Sequence, residues 1–508
     1  MAKNARGAAA HPLSGKAQQR HACILAVAVA AVALGMSGAR AQTSAVLEAP
    51  RVMPLDQSSN APNRLPDLGD QSGSDKPGMF KRDYALPALE IIGFDTILNR
   101  LNHRFIKGTT DYDISVGSWR RNLKSSWVID EDPFKTNQFL HPYQGAIYHG
   151  FARSAGFNYW ESLGYTFAGS AFWEIFGETT RPSRNDQIAS GIAGSFLGES
   201  MFRMSNLVLE KETHLSPFWR ETAAAAISPS TGFNRLAFGN RFDKIFASHD
   251  PAYYGRLQLG VSGASQNVQG PAVGVKRTEA LTNFALDYGV PGKDGYKYDR
   301  PFDYFNFEIA ASTADGIESI NNRGLLIGRP YETAKNYRGI WGLYGSYDYI
   351  APQVFRVSST ALSLGTTGQL WLSKSLALQG TATTGIGYAA AGSVRTAGER
   401  DYNYGLAPQA LVALRMTYAD QAALDFTGRE FFVSRVAASQ RGGHENISRA
   451  DLSLTVRVHK QHAVSLKYLW SRRDASFPRS GDQIQSRGTV GLYYTLLGKD
   501  GFGAVDWR

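Results

Sequence analysis

The chain has 508 residues, a formal charge of +10, 43% hydrophobic and 19% charged residues, and a single cysteine, Cys23. That apolar content excludes a disordered charged tail, one cysteine excludes a disulfide-stapled domain, and the lack of basic runs interleaved with aromatics argues against a nucleic-acid partner. The first 41 residues hold the bases Lys3, Arg6, Lys16, Arg20 and Arg40 and no acid, so the remainder carries +5.

Residues 1–41 have the parts of an export signal: those bases, the apolar run Ala22–Met36, and Ala39-Arg40-Ala41 before Gln42. The run is about 15 residues, short of the ~20 that span a bilayer, so cleavage after Ala41 is expected, with loss of Cys23. No later stretch is apolar enough to stop in the inner membrane, and an exported chain of that kind can reach the outer one. Residues 42–80 are rich in Pro, Ser, Asn, Gly and Asp and predict a disordered periplasmic linker.

Residues 81–245 are expected to form a helical domain. From Tyr84 to Phe105 the spacing of Leu86, Leu89, Ile92, Leu98 and Leu101 is helix-like. Residues 142–210 predict a helical hairpin, with one helix from about Pro142 to Glu178, another from Arg184 to Leu209, and a joint near Pro182. Small residues crowd both: Gly164, Ala168 and Gly169 in the first, and Ser190, Gly194 and Gly198 at i, i+4, i+8 in the second. That spacing lets two backbones approach closely, in a membrane or in a tightly packed soluble hairpin.

The same region offers groups that could do chemistry. Glu174 and Glu178 fall one helical turn apart beside Trp160 and Phe167, and Glu199 and Arg203 form an i, i+4 pair that would orient the helices if buried. Upstream stand Asp130-Glu131-Asp132, His141, His149 and Arg153. Carboxylates near histidines can hold a divalent metal or act as acid and base, which makes His141, Glu174, Glu178 and Asp186 the candidate catalytic residues. Against that, no H-E-x-x-H or G-x-S-x-G pattern occurs, Ser183 followed by Asp186 reads as a capping box, and Trp173 reads as core; no metal or other cofactor is expected.

From about residue 250 to 498 apolar and polar residues alternate. Leu452, Leu454, Val456 and Val458 interleave with Asp451, Ser453, Thr455, Arg457 and His459; Val464, Leu466 and Tyr468 interleave with Ser465 and Lys467. A period of two gives each strand one oily and one wet face. About 245 residues over roughly twelve such segments suits membrane strands of ~10 residues with their connections. The fold class is therefore an α+β membrane protein: an antiparallel transmembrane β-barrel of about twelve strands preceded by a helical hairpin. Short turns are expected at Ser373–Ser375, Ala419–Gln421 and Lys460–His462, long loops at Ser434–Ser448 and Ser471–Ser486, and aromatic girdles at Tyr347, Tyr349, Tyr418, Tyr468 and Trp470. The segments near Leu326 and Leu343 alternate poorly.

Alternation turns Arg256, Glu308, Arg415, Asp425, Arg429, Arg457 and Lys467 toward the lumen, as a selectivity lining or as ion pairs that fill a narrow barrel. Residues 499–508 form a tail to Trp507-Arg508, either a last partial strand or a degenerate recognition signal.

The string Asp130-Glu131-Asp132-Pro133-Phe134-Lys135-Thr136-Asn137-Gln138-Phe139, with His141-Pro142-Tyr143-Gln144-Gly145, Ala152-Arg153-Ser154, Gly169-Ser170, Trp173-Glu174, Glu178, Pro182-Ser183, Asn185-Asp186 and Gly198-Glu199, resembles a domain-of-unknown-function family of Gram-negative envelope proteins. The resemblance covers about residues 95–240 and implies no activity. It marks Asp132, Asn137, His141, Gly145, Arg153, Trp173, Glu174, Glu178, Asn185, Asp186, Glu199 and Arg203 as motif residues.

Together these features predict an outer-membrane protein with a periplasmic N-terminal segment, whose partners are outer-membrane lipid, the outer-membrane assembly machinery and an unidentified solute or lipid. Binding or transport is expected, the hairpin plugging the lumen or capping its periplasmic mouth, with its acids facing Arg415, Arg429 and Arg457. An enzyme acting on lipid or surface polysaccharide is the alternative, although the strand histidine His459 has no serine that sequence can pair with it. A structural or assembly role is third.

Overall fold

The computed structural model describes residues 83–507 except 107, 212–214, 240–241, 243–244, 265–277, 315, 394–401, 438–441, 479–480 and 500. The export signal and linker expected at 1–41 and 42–80 lie outside the described residues.

Twelve antiparallel strands close into a barrel, each pairing with its sequence neighbours and β1 with β12. They are β1 (Tyr253–Ala264), β2 (Thr278–Tyr288), β3 (Phe305–Ser312), β4 (Gly316–Ala334), β5 (Tyr337–Ile350), β6 (Phe355–Trp371), β7 (Leu376–Ser393), β8 (Asn403–Tyr418), β9 (Ala422–Ala437), β10 (His444–His459), β11 (His462–Phe477) and β12 (Gly481–Leu497). Period-two patterning becomes two surfaces. Leu454 and Leu466 stand opposite each other and are exposed on the outside, whereas Thr455 and Ser465 stand opposite each other inside, with their hydroxyls 2.8 Å apart. A closed barrel with an apolar outer band is the architecture that outer membranes hold, because closure leaves no strand edge unpaired in lipid. Two of the expected loops are shorter than predicted. β10 already begins at His444, and β11 and β12 extend to Phe477 and from Gly481, because interior pairs such as Arg473 with Glu445 carry the ladder onward.

The lumen is filled. Arg256 and Arg415 share Asp425 at 3.0 and 2.6 Å, Arg415 also reaches Asp287 at 2.9 Å, and Arg429 reaches Asp348 at 2.9 Å. Lys467 lies 3.7 Å from Glu308 and 3.8 Å from Asp451. Arg457 sits at the C-terminal mouth with Asp420 at 2.9 Å. Three cavities lined by described residues among these groups measure about 20, 50 and 90 Å³, room for a few waters each.

Both mouths are closed by the chain itself. At one end Pro352, Gln353 and Val354 dip inward: Gln485 Nε2 donates to the Val354 carbonyl at 2.8 Å, Arg487 to that of Pro352 at 3.2 Å, and Gln353 Nε2 to Glu279 at 2.9 Å. At the other end the tail, expected as a partial strand or degenerate signal, folds into the opening. Phe502 is buried there, Gln379 Nε2 donates to the Gly503 carbonyl at 2.7 Å, and Gln369 Nε2 donates to that of Val505 at 2.6 Å.

The helical module comprises α1 (Ala85–Phe105), α2 (Val116–Lys124), α3 (His141–Ser154), α4 (Tyr159–Phe172), α5 (Arg184–Ile188), α6 (Gly194–Glu210), α7 (Pro217–Ile227) and α8 (Pro229–Phe238). Three π-helical turns join it, at Thr136–Leu140, Trp173–Gly177 and Ala189–Ala193. The helix expected from Pro142 to Glu178 is two helices. Gly156, at φ +90°, breaks it, and Asn158 with Glu161 forms a reciprocal capping box that starts α4. The small-residue stripe packs as its spacing implied, but against α3: a Cβ on Gly145 would lie 2.0 Å from the Ser190 carbonyl oxygen.

The module lies neither inside the lumen nor over its mouth. In β2, Asn283 and Asp287 bond interior groups, so Phe284, Leu286 and Tyr288 point outward, yet all three are buried. They share one apolar cluster with outward-facing Phe305, Phe307 and Ile309 and with Phe134, Phe196, Met204 and Leu207 of the module. The module is therefore seated on the outer wall from β2 to β8. Apolar burial gives little net attraction where the alternative neighbour is lipid, so polar bonds across the seam hold it. Ser200 donates to Asn322 at 2.7 Å, Asn322 to the Phe196 carbonyl at 2.8 Å, and Arg203 to Asp303 at 2.9 Å.

Candidate metal centre

Three backbone elements bring His141, Glu174 and Asp186 together. His141 opens α3 directly after the first π turn, Glu174 lies inside the second, and Asp186 is in α5, which runs into the third. One ligand atom from each falls within 4.8 Å of the others, and all three residues are buried. π turns are rare and concentrate at functional sites, since the extra residue turns a side chain out of the helical register.

The capping box expected at Ser183 is only half formed, and that frees an acid. Ser183 Oγ accepts from the Asp186 amide at 3.2 Å, but the amide of Ser183 donates to Glu174 Oε2 at 2.8 Å. Glu174, nine residues upstream, takes the role that the Asp186 carboxylate would have had. Asp186 instead turns toward His141, whose Nε2 lies 3.8 Å from its Oδ2. On the other side of the imidazole, Ser190 Oγ lies 3.4 Å from Nδ1.

A polar shell surrounds the three. Asp130 Oδ1 accepts from Asn137 Nδ2 at 2.7 Å and from Asn185 Nδ2 at 2.5 Å. The barrel closes it: Asn185 Nδ2 also donates to the Tyr404 hydroxyl at 2.8 Å, and the Tyr402 hydroxyl donates to the Asp132 carbonyl at 2.7 Å. Glu178 is not one of the three converging ligands; it accepts from Trp173 Nε1 at 2.8 Å and from Thr180 at 2.9 Å. Burial first, and then the neighbouring acids, hold the Glu174 and Asp186 carboxyls well above the usual carboxylate range. Among the described residues no lysine or arginine pairs with Glu174, Asp186 or Asp130.

Glu199 shows the opposite arrangement. It lies fully buried between α3 and α6 and accepts from Arg153 Nε at 2.6 Å and Arg203 Nε at 2.8 Å, with His149 Nε2 at 3.2 Å. Burial alone would raise its carboxyl, but Arg153, His149 and Arg203 outweigh it and hold the group far below the usual range. This is a compensated knot that orients helices. Its motif residues Arg153, Glu199 and Arg203 thus belong to the scaffold, while Asp132, Asn137, His141, Glu174, Asn185 and Asp186 gather at the centre, and Gly145 lets α3 approach the third π turn.

The hairpin acids do not meet Arg415 or Arg429, which pair inside the barrel with its own acids, or Arg457, which pairs with Asp420 at the barrel mouth. The sequence reading named Asp130 among the carboxylates near the histidines but missed Ser190, Tyr402 and Tyr404 as members of this site. Ser190 stood in the small-residue stripe, and the tyrosines lie more than two hundred residues away, with no local signal.

Residues 126–230 match the model of DUF3943, a domain of unknown function. The DUF3943 segment holds all of the centre except the tyrosines of the barrel, and all of the Glu199 knot except Asp303. No curated protein matches the chain. Among solved structures the chain is similar to an outer-membrane channel from Pseudomonas putida F1 (TM-score 0.26, 8% identity, covering 49% of this chain and 96% of that one). It is also similar to the outer-membrane channel DcaP of Acinetobacter baumannii (0.21, 10%, 48% and 96%) and to the translocator domain of the autotransporter NalP from Neisseria meningitidis (0.22, 14%, 48% and 87%).

Proposed function

We propose that this outer-membrane protein binds lipid, or a ligand dissolved in lipid, at the flank of its barrel, with the helical module as the binding element and the barrel as its anchor. One observation carries the reading. Phe196 of α6 rests on Gly345 in the outer wall, and the strand neighbour paired with Gly345 is Leu362, which is 47% exposed on the lipid band. The module thus occupies a sector of wall level with that band, and its surface carries exposed Leu89, Ile97, Phe105, Phe218, Trp219 and Leu236. Passage of a solute along the lumen would need both chain-made closures to move. The short turns at Ala419–Gln421 and Lys460–Gln461 favour a periplasmic C-terminal end, the orientation that barrel-assembly machinery imposes.

The test uses single cysteines, since the only natural one falls in the export signal. A fluorophore on Leu236→Cys or Ile97→Cys should be quenched by brominated acyl chains and spared by aqueous iodide, and a photoactivatable phospholipid should label residues 83–245 more than the bare barrel wall. Iodide quenching with uniform labelling around the wall would reject the reading.

A second reading, hydrolysis of a lipid ester, is favoured by the spatial line of Ser190 Oγ, 3.4 Å from His141 Nδ1, and Asp186 Oδ2, 3.8 Å from His141 Nε2, which places a nucleophile, a base and a carboxylate that can orient the base side by side. Ser190 is buried, so substrate would have to part α3 from the third π turn. Fatty-acid release lost in both Ser190→Ala and His141→Ala would support it, and release that survives either change would end it.

A further inference from the structure

We propose that His141, Glu174 and Asp186 bind a divalent transition metal of the manganese-to-zinc class. The inference extends the reading of the helical module as the working part, but it stands on its own geometry. A metal ion with nitrogen and oxygen ligands at ~2.0–2.2 Å holds donor atoms no more than about 4.4 Å apart. The donors here already lie within 4.8 Å, so side-chain shifts of about an ångström or less complete the arrangement. One imidazole and two carboxylates suit manganese, iron or zinc; calcium takes six to eight oxygens, more than three side chains supply.

Charge points the same way. A buried carboxylate is held by a cation, as Glu199 is by two arginines. Glu174 and Asp186 have the same burial and no such partner among the described residues, although Asp130 adds a third acid to the same shell. The second, separate sign is Asn137. It is fully buried in the first π turn, its amide nitrogen is committed to Asp130, and its carbonyl oxygen has no partner among the described residues. A metal-bound water is the kind of donor that oxygen lacks. The hydrogen bonds of Asn185 to Asp130 and Asp186 hold the carboxylates in place as outer-shell groups do.

The experiment is metal titration of the purified, folded full-length protein after dialysis against chelator. Mn²⁺ is followed by loss of the free-ion paramagnetic signal and Zn²⁺ by competition. About one equivalent of Mn²⁺ should be taken up and displaced by Zn²⁺. Glu174→Gln and Asp186→Asn, which keep the shape of the side chain, should each weaken uptake at least tenfold, Asn137→Asp should strengthen it, and His103→Ala, outside the site, should leave it unchanged. Heat-dependent mobility on gels shows that each variant is folded. If the wild-type protein takes up no metal, or the variants bind as it does, the proposal is overturned. Should a carboxamide variant fail to fold, unchanged uptake by Asn137→Asp has the same force. Absence of metal with lipid labelling intact would remove this site and leave flank binding standing.

Discussion

Arg203 joins two parts of the fold: from α6 its Nε holds Glu199 Oε1 at 2.8 Å inside the module, and its Nη1 reaches Asp303 Oδ1 at 2.9 Å in the β2–β3 connection of the barrel. A third bond runs to the Pro301 carbonyl at 2.7 Å. In lipid, where apolar packing discriminates little between partners, this guanidinium is the strongest tie across the seam.

Arg203→Met should therefore loosen the module from the wall while the barrel stays closed. Removing one member of a buried ion pair costs ~3–5 kcal/mol, and here the lower end applies because Arg300 still lies 3.0 Å from Asp303. Limited proteolysis should release the module before the barrel is cut. Cleavage kinetics equal to those of the wild-type protein would refute the tie.

The Glu199 knot sets an acid limit on stability. Its folded carboxyl lies below the unfolded value, so its stabilisation is complete above the ordinary carboxylate pKa of about 4.3 and is lost as pH falls below it. Between pH 7 and pH 3 the urea midpoint of the module should drop further in the wild-type protein than in Glu199→Gln. Parallel drops would exclude this carboxylate as the titrating group.

Helix contact depends on the missing side chain at Gly145. Gly145→Ala would press a methyl onto the Ser190 carbonyl and should destabilise the module by ~1–3 kcal/mol, as overpacking does. Gly164→Ala, which meets nothing within 4 Å, should be near neutral or slightly stabilising, through helix propensity. Thermal midpoints of the two variants check the contrast, and equal midpoints would contradict it.

The barrel should be non-conducting in planar bilayers, and deletion of residues 42–245 should leave it so, because the module is outside the lumen. Deleting 499–508 alone leaves Pro352–Val354 in place at the far mouth. Conductance should stay absent even when the tail deletion is combined with replacement of Pro352–Val354 by glycine, because the ion pairs of Arg256, Arg415 and Arg429 fill the lumen between the mouths. A wild-type pore would contradict the closure of both ends.

The clean alternation of β10 and β11 was legible because one face meets lipid and the other the ion-pair network. The poor alternation near Leu326 and Leu343 now has a cause: β4 and β5 are covered on the outside by the module, and β4 bulges between Leu325 and Ile327. With both faces buried, polarity no longer reports direction. The break at Gly156 had a readable signal in Asn158 and Glu161. The capture of Ser183 by Glu174 had none, because a capping box looks complete from Ser183 and Asp186 alone.

What the sequence determined by itself was the closed, two-faced barrel, the helical character of the module and the close approach of its glycines, all set by local periodicity and side-chain size. Tertiary structure alone decided that the module sits outside the wall and that its acids turn to one another and to His141 instead of to the arginines of the lumen. The physical reason is that an outward Phe284 or Phe307 looks the same in sequence whether lipid or a helix covers it, and a charge does not name its partner until the fold has placed both.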